Sequence, residues 1–288
     1  MPETEHWDLI IRPKAGWLEL HLRDLWQYRD LVAMFVRRDF VSLYKQTILG
    51  PLWFFIQPLL TTITYTVVFS GIAKLPTAGL PPLLFYLAGQ TPWNYFATCV
   101  LKTSATFTDN AGLFGKVYFP RLVTPLAIVI STLIQFGIQF GLLLIALVWY
   151  LFTATVHPNW AGIVFLTPLL IVLMAGQGLG FGIIVSSLTT RYRDLSLLVT
   201  FGIQLAMYTT PVVIPLSAVG HNPYQTLIEA NPMTAIIESF RAIYLGSDSG
   251  PGSIPWSGLG YSSLATVITL VLGILIFNKV EKTFMDTV

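Results

Sequence analysis

Charged residues fall along this chain in clusters, and long runs without a formal charge lie between them. The runs are residues 46–73, 75–101, 122–190, 195–228 and 249–278. A helix that crosses a bilayer needs about 20 mainly apolar residues. The run 122–190 is long enough for two crossings and divides at His157-Pro158-Asn159-Trp160. Each of the others fits one. The pattern predicts an all-α integral membrane protein with six transmembrane helices, which puts both termini on one side.

Ahead of the first run the period is helical and two-faced. At 100° per residue Leu22, Leu25, Trp26, Ala33, Val36, Phe40, Leu43 and Tyr44 share a face. Arg23, Asp24, Gln27, Asp30, Arg38, Ser42 and Lys45 occupy the flanks and the opposite side. Arg29 intrudes on the apolar face, where its stem can snorkel. Such a helix suits the headgroup layer, and Gly50-Pro51 ends it. The basic residues then orient the chain. Of 16, only Lys74 and Arg241 fall on the side opposite the termini. Both termini are therefore expected in the cytoplasm.

Composition agrees. The chain has 288 residues, 54% hydrophobic and 10% charged, with mean hydropathy +0.69. Soluble domains carry about 25% charge. The net charge of +2 says nothing about nucleic acid, but no basic or RNA-reading motif is present, and no nucleic-acid partner is expected. Cys99 is the single cysteine, which excludes a disulfide within the chain. The polar start lacks a short apolar core, so no cleavable signal is expected. The expected organisation is a cytoplasmic segment 1–21, an interface helix 22–46, a six-span domain 47–278 and a cytoplasmic tail 279–288.

The spans are not plain anchors. The first holds Gln57-Pro58 and then Thr61, Thr62, Thr64 and Thr66; the second holds Gly89-Gln90-Thr91-Pro92-Trp93-Asn94. The fifth has Gln204 and Tyr208-Thr209-Thr210-Pro211. Each proline frees a carbonyl that a neighbouring helix, a hydroxyl or water must satisfy. These groups suit either packing between helices or a wet path. Asn231-Pro232 is a helix start, with Asn as cap and Pro in the first turn. Ala235, Ile236, Ser239, Phe240 and Ile243 then make one face, and Glu238 and Arg241 an i,i+3 pair. Residues 212–246 are expected to form short re-entrant or interfacial helices between spans five and six.

Some chemistry is missing. His6, His21, His157 and His221 show no ligand spacing, so no metal is expected. Gly176-Gln177-Gly178-Leu179-Gly180-Phe181-Gly182 sits inside a span and does not follow a strand, so it is not a nucleotide fingerprint. Gly176/Gly180 and Gly178/Gly182 instead permit close helix packing, and Gly137/Gly141 reads the same way. No phosphate-binding loop is present, and no acidic residue lies at mid-depth in a span. The chain is expected not to be an enzyme and to borrow its energy from a partner. Within residues 103–125, Thr108-Asp109-Asn110 resembles a helix start. Ala111, Leu113, Phe114, Val117 and Tyr118 then offer an apolar docking surface bounded by Lys116.

Arg37-Arg38-Asp39-Phe40, Tyr44-Lys45-Gln46-Thr47, Leu49-Gly50, Leu52-Trp53 and Gln57-Pro58 resemble the entry to the first span of type-2 ABC exporter permeases. Lys116-Val117-Tyr118-Phe119-Pro120-Arg121, Tyr192-Arg193-Asp194 and Asn231-Pro232-Met233 are similar to later stretches of those that export polysaccharides: O antigen, capsule and teichoic acid. The resemblance is strongest to the transmembrane subunit for O antigen. It implies a homodimer served by two cytoplasmic ATPase subunits, which bind the ATP and Mg, with no cofactor in this chain. It implies that Asp109, Asn110, Leu113, Phe114 and Lys116 couple to the ATPase. It also implies that spans one and five line a path between protomers for a glycan on undecaprenyl diphosphate.

Sugars stack on aromatic rings, and a sliding polymer needs weak contacts. Trp53, Phe54, Tyr65, Phe69, Phe201 and Tyr208 are the candidate channel rings, although aromatic residues also serve lipid contact, interface belts and cores. Arg37, Arg38 and Lys45 are the candidates to meet the lipid pyrophosphate at the entrance, or simply to anchor the inner side. Teichoic acid, capsule, or a small hydrophobic drug or lipid are the alternative cargoes.

Overall fold

A computed structural model describes residues 22–45, 47–117, 119–153, 156–189, 192, 194–220, 223–246 and 254–283. The segment 1–21 with Arg12 and Lys14, together with Gln46, Tyr118, Arg191, Arg193, His221 and residues 284–288, lies outside them. Among the described residues the chain is helical, without strands.

The amphipathic segment is two helices, α1 (Leu22–Gln27) and α2 (Arg29–Tyr44), broken at Tyr28. Gly50 adopts φ +52°, a left-handed turn that glycine takes without strain, and Pro51 opens a 3-10 turn into α3 (Trp53–Tyr65). A π-helical continuation carries α3 to Ile72. Then follow α4 (Pro82–Ser104), α5 (Thr106–Asp109), α6 (Ala111–Phe114), α7 (Val123–Thr153) and α8 (Trp160–Thr189). The chain ends with α9 (Leu195–Tyr208), α10 (Leu216–Val219), α11 (Pro223–Ala230), α12 (Pro232–Leu245) and α13 (Trp256–Thr283).

Among the described residues, four segments are long and apolar enough to cross a membrane: Gly50–Ile72, Val123–Thr153, Trp160–Thr189 and Trp256–Val280. The predicted break at residues 157–160 separates α7 from α8. α4 has 23 residues and sits at the centre, against α7, α8 and α12. Leu84 through Trp93 are all buried, which is why α4 shows no two-faced pattern. The run 195–228 is not one helix. α9 stops after 14 residues, about 21 Å. Pro211 and Pro215 cannot donate to the turn before them. Thr209 and Thr210 donate their hydroxyls to the carbonyls of Ala206 (2.9 Å) and Met207 (2.6 Å) at its end.

The glycines of α8 set its neighbours. Side chains at Gly176 and Gly180 would strike Thr266, Thr269 and Leu270 of α13. Side chains at Gly178 and Gly182 would strike Cys99 and Thr103 of α4. Both predicted pairs are close-packing sites, on different faces. Gly137 and Gly141 are not: each faces open space within the chain.

α11 and α12 form a hairpin at the end of the bundle where α4, α8 and α13 begin. The hydroxyl of Tyr261 donates to Ala230 O (2.8 Å), and that of Ser262 donates to Pro232 O (2.6 Å). The hairpin tip thus lies about 9 Å along α13 from Trp256. Asn231 caps α12 through Met233 N (3.0 Å), with Pro232 in the first turn. Near the end of α12, Ile243 O accepts from Asn159 N (2.9 Å). Gly246, at φ +89°, abuts the His157 backbone and leaves no room for a side chain.

Candidate functional site

α3 meets α9 at Tyr65 and Met207. The Tyr65 hydroxyl lies 3.4 Å from the Met207 sulfur. Tyr65 packs edge-on against Phe69 (5.2 Å) and Tyr86 (6.1 Å). The hydroxyl of Thr62 donates to Gln90 of α4 (3.1 Å), whereas Thr61, Thr64 and Thr66 bond back within α3. The structure therefore brings Tyr65 and Phe69 together, half-buried, near the capped end. Phe201 and Tyr208, two helical turns apart, are each 60% exposed. With Leu197 and Leu205 they form a row on α9 that turns away from its own bundle. Trp53 is exposed and Phe54 half-buried at the opposite end of α3, about 18 Å from Tyr65. Behind α9 a cavity of about 380 Å³ lies between it, α4, α8 and the tip of α12, lined by Trp93, Phe96, Phe181, Ile203 and Met233.

The other end is basic. Arg37, Arg38 and Lys45 are exposed on and just after α2. Arg38 pairs with Asp39 (2.8 Å) and lies over the Phe35 ring (4.6 Å). The predicted docking turn is two single-turn helices, α5 and α6. Asn110 precedes α6 without capping it; its side chain donates back to Thr106 O (2.9 Å). Asp109 and Lys116 are exposed, and Asn110 and Leu113 are half-buried. Phe114 points inward. It meets Phe107 (6.0 Å) and Phe119 (5.6 Å) under the Arg121 guanidinium (5.6 Å). Phe119 reaches Phe35 of α2 (5.8 Å), and Phe107 stacks on Phe277 of α13 (4.7 Å). One aromatic cluster thus fastens the turn to α2 and α13.

Sequence reasoning missed the most constrained charge. Arg241, expected and found as one half of an i,i+3 pair with Glu238, is 5% exposed, a burial the spacing did not indicate. Its Nη2 donates to Val212 O (2.8 Å) and its Nη1 to Pro211 O. Its guanidinium lies 3.7 Å from the centre of the Phe85 ring, and Glu238 is 3.7 Å from Nη1. Burial pulls its pKa down to about 10, against the opposing pull of Glu238 and Tyr86, so it stays charged at neutral pH. The signal was present in two pieces. Gly89 leaves space for the guanidinium, and Pro215 leaves a carbonyl without its donor.

Fold and surface together define a class: an apolar helical bundle with a helical hairpin at one end, a basic amphipathic helix at the other, and no nucleotide-binding motif in its sequence. The family model described as ABC-2 type transporter matches residues 30–245, and the chain belongs to that family. The match runs from α2 to the last residue of α12. The chain is similar to the O-antigen export system permease protein RfbA of Myxococcus xanthus, 29% identical over 224 residues, covering 77% of this chain and 83% of the relative. RfbA of Klebsiella pneumoniae is 27% identical over 257 residues, covering 89% and 94%. The capsule polysaccharide export inner-membrane protein CtrC of Neisseria meningitidis serogroup B is 25% identical over 281 residues, covering 91% and 97%. With its apolar helices, this membership makes the chain an inner-membrane protein.

Proposed function

We propose that the chain is the permease subunit of an exporter that moves lipid-linked polysaccharide out of the cytoplasm. α4 and α9 complete six crossings with the four long apolar segments, and both termini are cytoplasmic. Two copies pair, and two ATPase subunits dock beneath them and hold the ATP and Mg. The exposed side of the 109–116 turn, with Asp109, Leu113 and Lys116, meets the ATPase, while Phe114 ties its motion to α2. Arg37, Arg38 and Lys45 meet the diphosphate of an undecaprenyl-type carrier at the inner leaflet. The glycan slides between protomers along α3 and α9. Trp53 and Phe54 stand near the entrance, Tyr65 and Phe69 toward the exit, and Phe201 and Tyr208 along the facing wall.

The carrying observation is the row Leu197, Phe201, Leu205 and Tyr208. Rings at helical spacing, turned away from the parent bundle beside Tyr65, suit a polymer that must stack weakly and move on. O antigen is the favoured cargo, through the likeness to the two RfbA proteins. The likeness to CtrC supports capsule polysaccharide as the second reading, and mass identification of the co-purified glycan lipid separates them. The functional test replaces Phe201 and Tyr208 with Ala in the chain expressed with its ATPase. Surface glycan and glycan-stimulated hydrolysis are expected to fall about tenfold for the pair. Both unchanged would remove the aromatic path.

A further inference from the structure

The end of α9 is held by a device that the export reading does not itself require. In a continued helix Pro211 O would accept from the N–H of residue 215, and residue 215 is proline. Val212 is fully buried and Pro211 is buried, so water does not take that role. Arg241 supplies it. The guanidinium reaches from α12 and donates to both carbonyls with its two terminal nitrogens. It lies over the Phe85 ring of α4 and beside the bare Cα of Gly89.

We propose that Arg241 is a positioning residue: it clamps the unwound turn 209–215 to α4 and α12, and so fixes the end of α9 that bears Tyr208. The clamp is continuous with the aromatic wall, since Phe85 packs on Tyr86 (5.3 Å) and Tyr86 on Tyr65 (6.1 Å). A charge this deeply buried is expensive unless it is paired and hydrogen-bonded; Nη1 and Nη2 are bonded, while Nε has no hydrogen-bond partner among the described residues. Here the engagement joins three separately threaded segments, and a hydrophobic residue of similar volume would fill the space without joining them. The role in transport rests on the reading that α9 lines the export path; the clamp itself does not.

The test places a reporter, Val213→Cys, in the turn. Val213 is 5% exposed, and the native Cys99 is buried. Cells expressing the chain with its ATPase are treated from outside with a membrane-impermeant maleimide. With Arg241 in place the reporter is protected. In Arg241→Met it is modified at least about tenfold faster, and surface glycan falls with it. Gly89→Ala gives the same result, because its methyl would occupy the guanidinium's place and lie 3.2 Å from Val212 O. The double variant is no worse than either single one, since both remove one clamp. Arg241→Lys, which keeps the charge but cannot bridge both carbonyls, gives an intermediate rate and serves if Arg241→Met does not reach the membrane.

Native protection in Arg241→Met or Arg241→Lys would overturn the clamp, as would fold-changes that multiply in the double variant. If Phe201→Ala and Tyr208→Ala are silent while Arg241→Met exposes the reporter, the path reading fails and the clamp stands.

Discussion

One methyl group separates a tolerated from a damaging change at the glycines of this chain. A Cβ at Gly180 would lie 2.9 Å from the Thr269 carbonyl carbon and 3.0 Å from Leu270 N, both backbone atoms of α13. Backbone cannot swing aside as a side-chain tip can, so Gly180→Ala should destabilise the bundle by about 1–3 kcal/mol. Gly137→Ala meets nothing, and should be neutral or stabilising by up to about 1 kcal/mol through helix propensity. Unfolding midpoints in detergent check the contrast; a Gly180→Ala midpoint at or above that of Gly137→Ala would refute the packing. The spacing of small residues showed which glycines were candidates, but not which had a partner. Gly137/Gly141 and Gly176/Gly180 carry the same signature and meet different surroundings. Arg241 was hidden for a related reason. Whether a charge is solvated depends on which carbonyls the fold delivers to it, and Pro211 and Val212 lie about 30 residues away.

Among the elements, period and punctuation were legible where they were local. Asn231-Pro232 starts α12 and Gly246 stops it, as the residue chemistry requires, whereas α2 ends at Tyr44, ahead of the break expected at Gly50-Pro51. The fifth span was not, because absence of charge does not distinguish a 14-residue helix followed by an unwound turn from a longer one. In the 109–116 turn and just beyond it, the apolar spacing of Leu113, Phe114 and Val117 suggested one docking face, but Phe114 turns into the aromatic cluster. Phe114→Ala should therefore act on the protein itself. It removes a side chain packed between Phe107 and Phe119 and should cost roughly 3 kcal/mol. Asp109→Ala and Lys116→Ala, at exposed positions, should stay within about 0.5 kcal/mol of the parent while weakening capture of the ATPase. Thermal unfolding and co-purification separate the two effects. A Phe114→Ala protein as stable as the parent would show that the cluster does not anchor the turn.

For the whole molecule, charge distribution and uncharged runs conveyed membrane residence and the all-helical class, because the bilayer leaves few other solutions. They could not convey that α4 is wrapped by α7, α8 and α12, which depends on long-range packing. The picture that joins these scales is a polymer path that does no chemistry of its own. In the proposed picture the basic, aromatic-anchored end would receive force and Arg241 would pin the far end of α9, which leans over a cavity of about 380 Å³. The most direct measurement uses proteoliposomes containing the purified chain, with and without its ATPase, and lipid-linked glycan in the membrane. Protection of the glycan from an added glycosidase is followed over time. Glycan should cross only when the ATPase, ATP and Mg are all present. Crossing by the chain alone, or sustained ATP hydrolysis by the assembled complex with no glycan crossing, would contradict the account.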